Sequence, residues 1–144
     1  MPRVDFYVLA GQAPDGRLLL ACRLTEKAYK LGHTVYLHAA SALQAQQVDD
    51  LLWTFRQSSF IPHGLYPPLP DDRSPVRIGW GELPAAAAQV LINLSHELPA
   101  EFASFERVVE LVDQAPETLA RSRERFRHYR EQGYAPATHR IEPA

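Results

Sequence analysis

Between Leu119 and Tyr134 the chain reads LARSRERFRHYREQGY, five arginines interleaved with aromatic residues and a histidine. An arginine guanidinium is a planar fork that pairs bidentately with carboxylate or phosphate, so the stretch is suited to holding an anion. On a helix advancing ~100° per residue, Arg123, Arg127 and Arg130 fall within about 60° of one another, with Leu119 and Phe126 along one edge. Arg121, Arg125 and His128 take the far side. Three anions suit such a stripe: a nucleic-acid backbone, a phosphorylated small molecule, or the acidic tail of another protein. The apolar edge separates them, because bare phosphate has no use for it, whereas an acidic peptide with a hydrophobic end uses both. The plain alternative is a solvated charged face, helped by the favourable interaction of Arg130 with the helix C-terminus.

The charge balance points the same way. The chain of 144 residues carries 15 Lys or Arg against 17 Asp or Glu, a formal net charge of −2. Setting aside the five arginines and the single glutamate of Arg121 to Arg130 leaves ten basic against sixteen acidic residues, a remainder near −6. A protein that coats nucleic acid gains from each phosphate it neutralises and spreads basic charge over a whole face. Here the positive charge is confined to one element, so contact with nucleic acid is expected to be mainly indirect.

Other residues with chemical potential read more plainly. GQAPDGRL, Gly11 to Leu18, has GxxxxG spacing between a strand and a helix, where a phosphate-binding loop sits. A Walker loop needs lysine and a Ser or Thr hydroxyl for magnesium at the next two positions, and here they are Arg17 and Leu18. The glycines do not match GxGxxG either, so the stretch is read as a strand-to-helix turn. The six histidines, His33, His38, His63, His96, His128 and His139, form no HExxH, and one cysteine cannot build a Cys/His zinc cluster. No metal and no cofactor are expected. His38 stands at a strand end without a GxSxG nucleophile, and reads as a backbone cap rather than a base. Asp49–Asp50 and Asp71–Asp72 read as surface charges, Cys22 as a core residue, and YPPLP (Tyr66 to Pro70) as a rigid loop. No catalytic residue emerges.

The elements that carry these residues follow from periodicity. VDFYVLA (Val4 to Ala10), TVYLHA (Thr34 to Ala39), VRIGW (Val76 to Trp80), QVLINL (Gln89 to Leu94) and RVVELV (Arg107 to Val112) read as strands. Arg17 to Leu31 is a helix with Leu18, Cys22, Tyr29 and Leu31 on its apolar side and Gly32 as C-terminal stop. A second helix is capped by Ser41 and runs from Ala42 to about Phe55, with Leu43, Val48, Leu51 and Leu52 inward. The last opens at Pro116 or Glu117 and runs to about Gln132, closed by Gly133. Arg56 to Pro75 has five prolines and no period, an irregular Pro-rich loop over 56–75. The expectation is one α/β domain over 1–144, with a mostly parallel twisted sheet of about five strands flanked by helices. No apolar run approaches the ~20 residues of a membrane span, and MPRVDFYVLA lacks the pattern of a signal peptide. A cytoplasmic protein without a membrane partner is expected, in keeping with its single cysteine.

Taken in order, DFYVL, GHTVYLHA, LLWTF followed by SFIPHGL, PVRIGW, VLINLS, FERVVELV and ARSRERFRHYREQGY resemble the chi subunit of bacterial DNA polymerase III holoenzyme. The blocks span most of the chain, and Trp53 followed by SFIPH and the RERF-x-x-YR-x-x-G pattern are the most specific. The resemblance implies a fold similar to nucleotide-binding proteins but without nucleotide chemistry. It also implies a replication subunit that is no enzyme by itself and that links the clamp loader, through psi, to the acidic, Phe-ended C-terminal tail of single-stranded DNA-binding protein. By motif match Arg123 is the tail-binding arginine, with Phe126, Arg127 and Arg130 in support. Relatives can place a lysine one turn earlier, where this chain has Leu119. For psi the resemblance points to Trp53, Phe60, Pro62 and His63, a surface that could also take a helicase. The physical alternative is that Trp53 and Phe60 are core residues. Two other readings stand beside it, a nucleotide-binding α/β enzyme and a direct single-stranded DNA binder.

Overall fold

Side-chain alternation along the strands decides which face of the sheet each helix covers. In the computed structural model, which describes residues 1–68, 70–83 and 88–141, the strands are β1 (Arg3–Leu9), β2 (Val35–Ala39), β3 (His63–Leu65), β4 (Val76–Trp80), β5 (Val90–Asn93), β6 (Arg107–Val112) and β7 (Ala137–Ile141). They form one seven-stranded sheet in the order β3-β4-β2-β5-β6-β1-β7, every pairing parallel. The helices are α1 (Gly16–Lys30), α2 (Ala42–Thr54) and α3 (Pro116–Glu131), with a 3-10 turn over Ala100–Ser104.

Val35, Leu37, Val109 and Leu111 face the layer of α1 and α2, where Ala21, Cys22, Val48 and Leu52 meet them. The intervening Val4, Phe6, Tyr36, Leu91, Val108 and Val112 face the other side, with Phe102, Phe105 and Tyr129 of the 3-10 turn and α3. Fully burying an aliphatic or aromatic side chain of this kind contributes about 1.5–3 kcal/mol. The parallel central strands, covered on both faces, therefore read as near-continuous apolar runs.

The α/β class and the central strands agree with the sequence reading. The sheet has seven strands rather than about five, and the two extra are its edges. β3 lies within the 56–75 segment expected to be irregular, and β7 follows the last expected helix. Both are short and partly exposed, so neither carries the apolar run that marks a buried strand. Position 69 of YPPLP lies outside the described residues.

The caps are as expected. Ser41 Oγ accepts the Gln44 N–H at 3.1 Å. Gly32 (φ +86°) and Gly133 (φ +93°) stand in the left-handed region, and the Gly133 and Tyr134 N–H groups close back on the Arg130 and Tyr129 carbonyls at 3.1 and 3.0 Å. That paired closure is the Schellman arrangement, which glycine adopts without steric cost. Leu43 does not face inward as its spacing suggested: it is 71% exposed, and α2 buries Ala45, Val48 and Leu52 instead. Leu31, past the last turn of α1, is likewise exposed.

Candidate functional site

The arginine stripe divides once α3 is set on the sheet. Ser122, Arg125 and Tyr129 form its buried line, fixed by an aromatic cluster in which Phe6 meets Phe126 at 5.2 Å and Tyr129 at 5.8 Å between ring centroids. Beneath them Glu110 of β6 is fully buried. Its carboxylate accepts the Tyr129 hydroxyl at 2.8 Å, stands 3.1 Å from Arg125 Nε, and lies 3.3 Å from the Asn93 amide nitrogen. Arg125 Nη1 also donates to the His96 carbonyl at 2.8 Å. Arg125 is thus a strut between helix and sheet, not part of an anion-binding face. Burial drives the Glu110 pKa above its ordinary value against the opposing pull of Arg125, and burial followed by the Glu110 charge raises that of Tyr129.

The stripe foreseen from helical spacing is present on the outer side: Arg123, Arg127 and Arg130 are exposed and Phe126 is half-buried. Arg123 and Phe126 form the rim shared by two depressions. One, about 330 Å³, passes between α3 and the sheet, with Phe6, Val8, Val112 and Leu119 as apolar walls and Arg140 at the β7 side. The other runs along the helix over Arg127 and Arg130, with Glu131 as its one acidic lining residue. An apolar hole opening onto a cationic track accepts one hydrophobic side chain followed by carboxylates. Arg140 and Thr138 are the members that sequence reasoning missed. Their signal was the two-residue alternation of ATHRI after Gly133, too polar to stand out as a strand.

The second group lies at the opposite edge of the sheet. Trp53, in the last turn of α2, is 54% exposed and Phe60 68% exposed, their ring centroids 5.8 Å apart, so neither is a core residue. Pro62 is half-buried and His63 buried. The His63 ring lies 4.6 Å from that of Trp53, with Nδ1 2.7 Å from the Ile61 carbonyl and Nε2 3.1 Å from the Asp49 carbonyl. His63 therefore supports Trp53 from beneath, while Trp53 and Phe60 form the surface. Six strand spacings of about 4.8 Å, roughly 29 Å in all, separate β3 from β7, so the two groups lie toward opposite edges of the sheet.

At the carboxyl ends of the central strands, where open α/β sheets take nucleotides, Arg17 reaches over the edge. It donates to the Leu111 carbonyl at 3.1 Å from Nε and to the Leu94 carbonyl at 3.2 Å from Nη2. The strand ends at this place are thus engaged by the side chain that replaces the Walker lysine. His38 is buried with Nδ1 unbonded among the described residues, and burial lowers its pKa. Among the described residues no group of three His, Cys, Asp or Glu side chains is placed to hold a metal ion, and no helix is long and apolar enough to cross a membrane.

Comparison with known proteins is consistent across the chain. Residues 1–137 match the family model described as "DNA polymerase III chi subunit, HolC". A DNA polymerase III subunit chi of Pseudomonas aeruginosa is 46% identical over 141 residues, covering 98% of each chain. The subunit chi of Escherichia coli is 30% identical over 140 residues, 93% of this chain and 95% of its own. That of Haemophilus influenzae is 28% identical over 138 residues, 95% of this chain and 96% of its own.

Proposed function

Since this chain belongs to the DNA polymerase III chi subunit family, and so to DNA replication, we propose that it is a non-catalytic adaptor of the clamp loader. It holds the psi subunit at the Trp53–Phe60 surface and the acidic, Phe-ended tail of single-stranded DNA-binding protein in the groove of α3. The observation that carries the reading is the pairing of an apolar hole with a cationic track at Arg123 and Phe126. Burying a terminal phenylalanine there contributes about 1.5–3 kcal/mol. Charge-assisted hydrogen bonds from Arg123 to acidic side chains add about 1.5–3 kcal/mol, and exposed pairs at Arg127 and Arg130 each about 1 kcal/mol or less. Contacts of this size, offset by the entropy lost on association, suit a weak and exchangeable contact.

Separation of the two groups to opposite sheet edges lets both partners bind at once, as an adaptor requires. The exposed aromatic pair beside a proline has the character of an interface anchor, and a helicase can compete for the same surface. The Arg17 contacts at the strand ends weigh against a nucleotide enzyme. The line of three exposed arginines on α3 beside an apolar hole suits a peptide better than single-stranded DNA, which uses broad basic grooves and stacking platforms.

The test is fluorescence anisotropy of a labelled tail peptide at moderate salt. Wild-type protein binds, Arg123→Ala weakens binding about tenfold or more, and removal of the peptide's terminal Phe abolishes it. A folded wild-type protein that ignores the peptide refutes the tail contact.

A further inference from the structure

A cluster of cations lies on the face of the sheet turned away from α3. β1 and β6 pair with Arg3 opposite Arg107. Because side chains alternate, both residues share the α1 side of the sheet with Val109 and Leu111. Like charges set opposite each other destabilise a sheet, and here the fully buried Asp5 carboxylate offsets the repulsion. Its Oδ2 accepts from Arg3 Nε at 2.9 Å and from Arg107 Nε at 2.8 Å. Arg107 Nη2 donates to the Tyr7 hydroxyl at 2.7 Å. Both guanidinium groups are thus held along one edge, while Nη1 and Nη2 of Arg3 and Nη1 of Arg107 make no hydrogen bond among the described residues. Lys27 of α1 makes no ion pair among them either, whereas Lys30 lies 4.0 Å from Glu26.

These three cations line one cavity of about 390 Å³ between the last turns of α1 and the amino ends of β1, β5 and β6, with Glu106 as its one acidic lining residue. Leu24, Ala28 and Val90 give it an apolar wall, and Leu31, left exposed past the end of α1, stands at its margin. The volume lies at the small end of those that hold ligands. A bare phosphate would leave the wall unused, and a neutral apolar molecule would leave the cations unpaired.

We propose that this cavity binds a small organic anion, an anionic head on an apolar body of ring size. The head lies against Arg3, Arg107 and Lys27, and the body against Leu24, Ala28 and Val90. Arginine suits the head because its planar fork pairs with carboxylate and phosphate alike. The proposal is independent of the tail-binding reading, since the cavity lies across the sheet from the groove of α3.

The test is amide-correlated NMR of the isotopically labelled chain, titrated with phenyl phosphate as probe and with phenol and inorganic phosphate as its separate halves. Phenyl phosphate shifts the amides of Leu24, Lys27, Leu31 and Val90 along saturable curves, and each half binds about tenfold more weakly or worse. Lys27→Gln and Arg3→Gln, both at exposed positions, each weaken the probe about fivefold, with melting temperatures within a few degrees of wild type. Either half binding as tightly as phenyl phosphate overturns the proposal, as does undiminished binding in both variants. Shifts confined to Phe6, Arg123 and Phe126 would put the probe in the α3 groove and overturn it too, and so would the lack of any saturable shift in the folded wild-type protein.

Discussion

Replacing Arg125 by alanine separates the structural arginine of α3 from its neighbours. The substitution leaves Glu110, fully buried, without its cation. Removing one partner of a buried pair costs about 3–5 kcal/mol, because the other charge is stranded. The lower end applies here, since the Tyr129 hydroxyl and Asn93 amide remain against the carboxylate and its raised pKa eases the uptake of a proton. Unfolding entropy of ~2.1 cal/mol/K per residue gives about 0.3 kcal/mol/K for this chain, so ~3 kcal/mol lowers Tm by about 10 °C. Arg123→Ala, on the exposed side, shifts it by about 2 °C or less. Thermal melts followed by far-UV circular dichroism, with urea titration as a second measure, read the contrast. The double variant Glu110→Gln with Arg125→Met removes both charges and should recover most of the loss, as replacing a whole buried pair by neutral groups of similar volume usually does. Equal melting temperatures for Arg125→Ala and Arg123→Ala would refute the division of the stripe. So would a double variant no more stable than Arg125→Ala alone.

Three further outcomes follow from the same contacts. Trp53→Ala and Phe60→Ala, both at largely exposed positions, should each leave Tm within a few degrees of wild type while weakening psi capture in a pull-down by tenfold or more; a large fall in Tm with psi binding retained would make them structural. Burial pushes the Asp5 carboxyl up, but hydrogen bonds from His139, Arg107 and Arg3 together outweigh it and hold its pKa below the usual value. Its folded-state pKa being depressed, Asp5 contributes stability that is present above its unfolded value of 3.8 and lost as pH falls through the folded value. Melts between about pH 6 and about pH 3 should show a flatter acid limb for Asp5→Asn than for wild type, and parallel limbs would remove Asp5 from the account. Gly133→Ala, forced into φ +93°, should cost about 1 kcal/mol or more, read as a lower urea midpoint, and an unchanged midpoint would show that the Schellman closure of α3 contributes little.

Periodicity made the central strands, the three helices and their stops legible, because a two-residue or 3.6-residue repeat and a capping Ser41, Gly32 or Gly133 act within one stretch of chain. The outer stripe of Arg123, Arg127 and Arg130 was legible for the same reason: helical geometry alone places three side chains on one face. Leu43 satisfied the helical period and still faces outward, since the period fixes which residues share a face but not where the neighbouring element ends.

The sequence by itself thus determined the α/β class and a helix with an arginine stripe on one side. Only the tertiary structure decided that Arg125 is sunk against Glu110, that Trp53 stands on the surface above a buried His63, and that Arg140 meets Arg123 across one cavity. Each of these joins residues distant in the chain or sets one element against another. Strand order and register bring them together, and no local repeat encodes register at a polar edge strand such as β7, where no apolar face has to be buried.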